Sequence, residues 1–164
     1  MKIVVVSMMR NEGDIVEAFV RHHVQFADHL MVLDHASTDG TAKVLQALVD
    51  EGLPLSVRRD DSLTFQQGPR TTALAREAFI DHSADFVFPI DADEMLRVAS
   101  REALESALRA VPSGYSGQVA WQNYVVTEHD DPSVVNPVAR MRYRAASEPV
   151  PERKVVLTRQ ILAD

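Results

Sequence analysis

Cysteine is absent from the chain. Disulfides and thiolate metal sites are thereby excluded, and the composition leans towards a cytoplasmic protein. Positive charge is in deficit, with 17 Lys and Arg against 24 Asp and Glu and a formal net charge of -7. That balance argues against nucleic acid as a partner and against an anionic membrane surface, so an anionic ligand would need a metal ion or a few placed arginines. Long apolar runs are missing too. The first, residues 3–6, is shorter than a signal-peptide core, and none approaches the ~20 residues of a membrane span. Repeats, low-complexity tracts and linkers are also lacking. The 164 residues therefore read as one domain, long enough to bury about 70% of the surface of its unfolded chain.

What is present is an alternation of short apolar runs and helical patterns. Residues 2–6 form a β-branched run that reads as a buried first strand, closed by the polar stretch 7–13. From Asp14 the period changes: Ile15, Phe19, His23 and Phe26 fall on one helical face, with Asp14 as the N-cap. Residues 29–33 predict a second strand ending at Asp34. Residues 35–41 are turn and capping chemistry leading into a helix that carries Val44, Leu45, Leu48 and Val49 and stops at Gly52. Residues 55–58 predict a third strand, 59–69 a polar loop, 71–82 a helix burying Leu74, Ala75, Ala78 and Phe79, and 86–90 a fourth strand. Such a series predicts an α/β fold with a mostly parallel sheet flanked by helices, its ligands collected beyond the carboxyl ends of the strands. Asn11, Glu12, Asp34, Asp60, Asp61 and the carboxylates at 91–94 all sit at those ends.

The second half is patterned differently. Ser100 caps a helix with Leu104, Ala107, Leu108 and Val111 inward. Residues 118–127, with Trp121 and Tyr124, read as one long strand, and 129–137 as a loop. Residues 140–144 alternate as a half-buried strand, placing Arg140, Arg142 and Arg144 on one solvated face, and 154–157 form another short strand.

The clearest chemistry lies in the fourth strand and the four residues after it. Phe86, Val87, Phe88, Pro89 and Ile90 run straight into Asp91, Ala92, Asp93 and Glu94. In an extended chain Asp91 and Asp93 would leave the sheet on the same side. Their repulsion calls for a cation or water, and one or two hard carboxylate oxygens are how Mg²⁺ or Mn²⁺ is held beside a substrate phosphate. The competing reading is a solvated acidic loop that also caps a helix. His22 and His23 read as packing residues, since no further His or carboxylate follows at ligand spacing.

Taken together, Arg10-Asn11-Glu12, the run Asp34-His35-Ala36-Ser37-Thr38-Asp39-Gly40-Thr41, and Asp91-Ala92-Asp93-Glu94 resemble, in order and spacing, the nucleotide-sugar half of a family 2 glycosyltransferase of GT-A fold. The likeness is to the glycosyltransferase-like branch and covers about residues 2–96. It implies a GT-A, Rossmann-like sheet with a smaller mixed β region after the DxD motif, in a single domain 1–164 divided into a nucleotide-sugar-binding half (1–96) and a partial acceptor-side half (97–164). Domains of this kind are generally longer, so a truncated or minimal member is expected. By the resemblance Asn11 and Glu12 hold the nucleoside ribose, Asp34 meets the nucleobase edge, and Asp91 and Asp93 meet the metal, Mn²⁺ or Mg²⁺, and the donor diphosphate. Arg70 and Arg76 stand where family members carry basic residues near the nucleotide. Arg10 replaces an aromatic residue that stacks on the base, a role a guanidinium plane can also fill.

The implied reaction is transfer of a sugar, with inversion, from a nucleoside-diphosphate sugar to a glycan, lipid or protein acceptor. It needs a carboxylate base, for which Glu128, Asp130 and Asp131 are the clustered candidates. Two other readings stand beside it. One is a nucleotide-binding or interaction domain without turnover. The other is a phosphoryl-transfer α/β enzyme using the DxD pair, although that pair normally ends the first strand and here the first strand runs into Ser7, Met8 and Met9.

Overall fold

The computed structural model describes residues 1–62, 64, 66–144, 146 and 152–163. Residues 63 and 65 of the expected polar loop, and Asp164 at the end of the expected domain, lie outside the described residues. In chain order the elements are β1 (Ile3–Met9), α1 (Val16–His23), β2 (His29–Asp34), α2 (Thr41–Asp50), β3 (Leu55–Arg59), α3 (Gln67–Ile80), β4 (Phe86–Pro89), α4 (Arg101–Arg109), β5 (Gly117–Ala120), β6 (Tyr124–Val125), α5 (Pro137–Arg140), β7 (Tyr143–Arg144) and β8 (Arg153–Thr158), then a 3-10 turn, Arg159–Leu162. Six strands form the main sheet in the order β3-β2-β1-β4-β8-β5, and β6 and β7 form a separate two-stranded ladder. The first four strands in that order are parallel, and β8 runs antiparallel to both β4 and β5.

The core follows from the period of two in β1. Ile3, Val5 and Met9 pack with Val16, Phe19 and Val20 of α1, Leu45 and Leu48 of α2, and Leu104 and Leu108 of α4. Val4, Val6 and Met8 pack on the other face with Leu74, Ala75, Ala78 and Phe79 of α3. Both faces of the strand are thus dry, and every one of its residues is buried. This explains why β1 outruns the expected end at Val6: Ser7 is carried along between two apolar faces rather than ending the strand.

Several boundaries move for local reasons. Asp14 is not a cap, because α1 starts later, with Ile15 in the N-cap position, and the carbonyl of Glu12 accepts from the amides of Ile15 and Val16. Helix α3 begins four residues early, at Gln67 rather than Thr71, with Pro69 in its first turn where a missing N–H costs no intrahelical bond. Ser100 caps α4 as expected, accepting from the amide of Ala103. The long strand expected over 118–127 is two short pieces, β5 and β6. The strand expected over 140–144 does not form as such. Asn136 accepts from the amides of Val138 and Ala139 and opens the short helix α5, which takes Arg140, so only Tyr143 and Arg144 pair as β7. No helix among the described residues is long and apolar enough to cross a membrane.

Ser7 is 1% exposed and its hydroxyl has no hydrogen-bond partner. Replacing the group with a methyl-sized side chain removes a desolvated, unpaired oxygen, so Ser7→Ala should stabilise the fold by about 1 kcal/mol. Urea denaturation of the two proteins checks this through an upward shift in midpoint at unchanged slope.

Candidate functional site

Strand β1 is flanked by β2 on one side and by β4 on the other, so the order of winding reverses between β1 and β4. In open α/β sheets the crevice for ligands opens at such a point, beyond the carboxyl ends of the strands. Residues 10–13 leave β1 there, 35–40 leave β2, 60–62 leave β3 and 91–94 leave β4.

The first two of these loops are fastened to each other. The amide of Asn11 donates to the Ser37 hydroxyl at 2.9 Å, that of Glu12 to the Thr41 hydroxyl at 2.8 Å, and that of Gly13 to Asp39 Oδ2 at 3.0 Å. In return Asn11 Oδ1 accepts from the Thr38 amide at 2.8 Å. A Cβ on Gly13 would lie 2.9 Å from Asp39 Oδ2, so a larger residue there would have to displace the Asp39 carboxylate that holds the loop. Asn11 and Ala36 turn the two chains through left-handed backbone, at φ 59 and 53. The Ser-Thr-Asp-Gly-Thr run is therefore a clamp between loops. It also opens α2: Gly40 stands in the N-cap position without a side-chain bond of its own, and Asp39 Oδ1 accepts from the Thr41 amide at 2.9 Å.

Residues 91–94 form a turn. Alternation along a strand does not govern Asp91 and Asp93, because β4 ends at Pro89 and the chain then folds back, the Glu94 amide donating to the Asp91 carbonyl at 3.0 Å. The Asp91 amide donates to Glu94 Oε2 at 2.9 Å, which closes the turn from the other side. Asp93 is exposed, and Asp91 is half-buried. Its carboxylate accepts from Gln67 Nε2 at 2.7 Å and from Lys154 Nζ at 2.7 Å. The same ammonium lies 3.1 Å from Glu94 Oε2 and 5.1 Å from the centroid of the Trp121 ring. Burial pushes the Lys154 pKa down, but the hydrogen bonds and charges of Asp91 and Glu94 outweigh it and leave it raised. Glu94 is raised by burial, opposed by the Asp91 amide and Lys154. Glu12 is raised by burial first and then by the charges of Asp93, Asp14, Asp39 and Asp91, so the acids of β1 and β4 feel one another across the crevice.

These residues fit a divalent cation of the Mn²⁺ or Mg²⁺ kind. The donors are hard oxygens, a cation already rests on Asp91 and Glu94 in the form of the Lys154 ammonium, and Glu94 Oε1 is a buried oxygen with no partner. No group of three or more His, Cys, Asp or Glu among the described residues could hold a metal alone. That suits an ion of this class, which is commonly held by one or two carboxylates together with substrate phosphates.

Behind the turn, α1 holds the chain. His22 Nε2 donates to the Leu96 carbonyl at 2.8 Å, while the Leu96 amide donates to His23 Nε2 at 3.3 Å and His23 Nδ1 donates to the Phe19 carbonyl at 2.9 Å. Both histidines are thus packing and positioning residues, as expected.

At the far side of the crevice Asp34 is 2% exposed. Its two oxygens accept from the Ser37 amide at 3.1 Å and from Arg59 Nη1 at 3.0 Å. Arg70 pairs with Asp60 at 2.6 Å, donates to the Thr64 carbonyl at 2.5 Å and to the Ser62 hydroxyl, and approaches His35 Nε2, which donates to the Ser62 carbonyl at 2.8 Å. Arg10 is exposed where β1 ends, and Arg76 is half-buried on α3.

Glu128, Asp130 and Asp131 are not brought to this crevice by any hydrogen bond or ion pair among the described residues. Asp130 Oδ2 accepts from the Thr127 amide at 2.5 Å, and Asp131 Oδ1 from the Ser133 amide at 2.9 Å and hydroxyl at 2.7 Å. The Ser133 bonds hold Asp131 below the usual carboxylate range, away from a base poised near neutrality. Glu128 is 89% exposed. Conversely, Gln67 and Lys154 were not marked by any motif. The available signal was slight: a lysine opening a short apolar strand, and a glutamine in a helical first turn.

No protein-family profile matches the chain, and no curated protein does. Solved structures do. One is TarS of S. aureus, with 22% identity and a TM-score of 0.53 over 72% of this chain and 34% of that one. Another is the mannosyltransferase PcManGT from Pyrobaculum calidifontis in complex with GDP-Man and Mn²⁺, with 22% identity and a TM-score of 0.51 over 70% of this chain and 34% of that one. The chain spans about a third of the length of each. Together with the six-stranded, mostly parallel sheet flanked by helices, these likenesses identify the fold as GT-A, the class expected from the motifs.

Buried His23 is neutral, its pKa lowered from 6.5 to about 4 by burial first, against the Phe19 hydrogen bond, with His22 adding to the fall. A proton on Nε2 would face the Leu96 N–H, donor against donor. Because the folded value lies below the unfolded one, His23 contributes its full stability above pH 6.5 and loses it as pH falls towards 4, about 3 kcal/mol across that window. Chemical denaturation at pH 7.5 and 4.5 should show most of this loss in the wild type, and His23→Gln should flatten the dependence.

Proposed function

We propose that the chain binds a nucleoside-diphosphate sugar with Mn²⁺ or Mg²⁺ and takes part in transfer of the sugar, with inversion, to an acceptor hydroxyl. The observation that carries this reading is the Asp91–Asp93 turn, set at the carboxyl end of β4 opposite Glu12. Asp91 and Asp93 hold the ion, with Gln67 orienting Asp91. When bound, the ion neutralises charge that builds on the departing diphosphate. The fixed loops at 11–13 and 35–41 bind the nucleoside: Asn11 and Glu12 take the ribose, Asp34 the base edge, and Arg10 a base face. Arg70 serves the base or phosphates from its Asp60 pair. PcManGT, which shares the fold, was solved with GDP-Man and Mn²⁺, and this supports the donor class. Of the three carboxylates considered as base, Glu128 is the one not tied into a local turn.

Uridine or guanosine diphosphate should raise the melting temperature in the presence of Mn²⁺ and not in the presence of chelator. At a ligand concentration 100 times Kd the stabilisation is about 2.7 kcal/mol. Equal shifts with and without metal would remove the metal-bridged diphosphate.

Asp93→Asn provides the second test. Asp93 is exposed, so the variant should melt within about 0.5 kcal/mol of wild type. Donor hydrolysis or sugar transfer should fall by about 100-fold, equivalent to about 2.7 kcal/mol of transition-state stabilisation. Lower stability with intact metal-dependent binding would instead make Asp93 a loop acid.

A further inference from the structure

Lys154 is the least expected participant in the crevice. It lies 63 residues from Asp91 in sequence, on the antiparallel strand β8, and bonds the Asp91 oxygen that Gln67 of α3 leaves open. Its ammonium lies 2.7 Å from Asp91 Oδ2 and 3.1 Å from Glu94 Oε2. The pair is neither loose nor fully sequestered: the Lys154 side chain is 31% exposed, Asp91 39% and Glu94 12%. The Trp121 ring lies beneath the ammonium and supplies a further attractive surface. A divalent ion on Asp91 and the Lys154 ammonium would therefore draw on the same carboxylate charge.

We propose that Lys154 is a tethered cation that competes with the divalent ion for Asp91 and, once displaced, becomes a binding residue for the donor diphosphate. This rests on the donor-site reading above. While Lys154 occupies Asp91, the metal sees only the fraction of molecules in which the carboxylate is open, and its apparent affinity falls by that fraction. Displacement leaves a partly buried ammonium with one carboxylate partner where it had two. An anion arriving with the metal meets that charge. Metal and diphosphate are thereby coupled, each tightening the other by the same factor. Glu94 makes the exchange feasible, because it retains Lys154 beside the turn when Asp91 is taken. The coupling keeps the site from holding metal strongly until a diphosphate is there to share it.

The test measures binding, not turnover, on the full chain. Mn²⁺ alone is titrated by the loss of its free-ion electron paramagnetic resonance signal, and inorganic pyrophosphate is titrated calorimetrically at saturating Mn²⁺. Lys154→Met should bind Mn²⁺ about tenfold more tightly and pyrophosphate about tenfold more weakly than wild type. Lys154→Arg, which keeps a positive charge, should lie between the two. A melting curve establishes that each variant is folded, and Lys154→Gln replaces the methionine variant if that one does not fold. Asp91→Asn should abolish Mn²⁺ binding in every background. Unchanged or weakened Mn²⁺ binding in Lys154→Met, or shifts of both ligands in the same direction, would overturn the proposal while Asp91-dependent Mn²⁺ binding by wild type leaves the donor-site reading standing. If neither wild type nor Lys154→Met binds Mn²⁺ through Asp91, alone or with pyrophosphate present, both readings fall.

Discussion

The constraint on which the structure depends is the burial of β1 on both faces. Ile3, Val5 and Met9 belong to the layer of α1, α2 and α4, and Val4, Val6 and Met8 to the layer of α3. A strand in that position has no solvated side on which to place charge, so its polar chemistry is deferred until the chain clears the sheet at Arg10. The same holds for its neighbours, β2 running dry to Asp34 and β4 leading to Asp91. Because all three strands are parallel, their polar ends emerge at one edge. The acidic crevice is therefore a consequence of how the core is filled.

Rigidity at that edge comes from loops that satisfy one another. Three successive amides, of Asn11, Glu12 and Gly13, donate to side chains of the 35–41 segment, and Asn11 returns a bond. The backbone of one loop thus takes its hydrogen bonds from the side chains of the other, and two left-handed residues shape the approach. Positioning of this kind holds a loop without a strand ladder. It also means that the hydroxyls most suggestive of ligand contact are occupied in holding shape.

Three of the cations near the crevice are held in ion pairs. Arg59 is matched to Asp34 and Asp61, Arg70 to Asp60, and Lys154 to Asp91 and Glu94, so an anion approaching these three meets cations that already have partners. In a chain with a net charge of -7 such pairing lets positive side chains sit near an acidic turn at little electrostatic cost. It also makes ligand binding an exchange of partners rather than a simple addition, which ties affinity to which carboxylate a metal occupies. Glu12, raised by burial first and then by four neighbouring acids, feels the unpaired acids around it.

Much of the first half was readable in the sequence because its determinants are local. Strands β1 to β4 and helices α1 to α3 follow from apolar period and turn residues within a few positions, and the motif order pointed to a GT-A fold. Where one local rule met another, the reading slipped: Asp14 lost the cap to a turn built on the Glu12 carbonyl, and the strand rule was carried past Pro89 into a turn closed by Glu94. The second half was less legible, since short strands such as β6 and β7 form by pairing with distant partners, and period alone joined 118–127 into one strand. By itself the sequence determined which residues end strands and hence which carboxylates lie at the edge of the sheet. Only the tertiary structure decided what each carboxylate faces, because insertion of β8 between β4 and β5 brings Lys154 to Asp91 across 63 residues, and no local pattern records a contact made through the sheet.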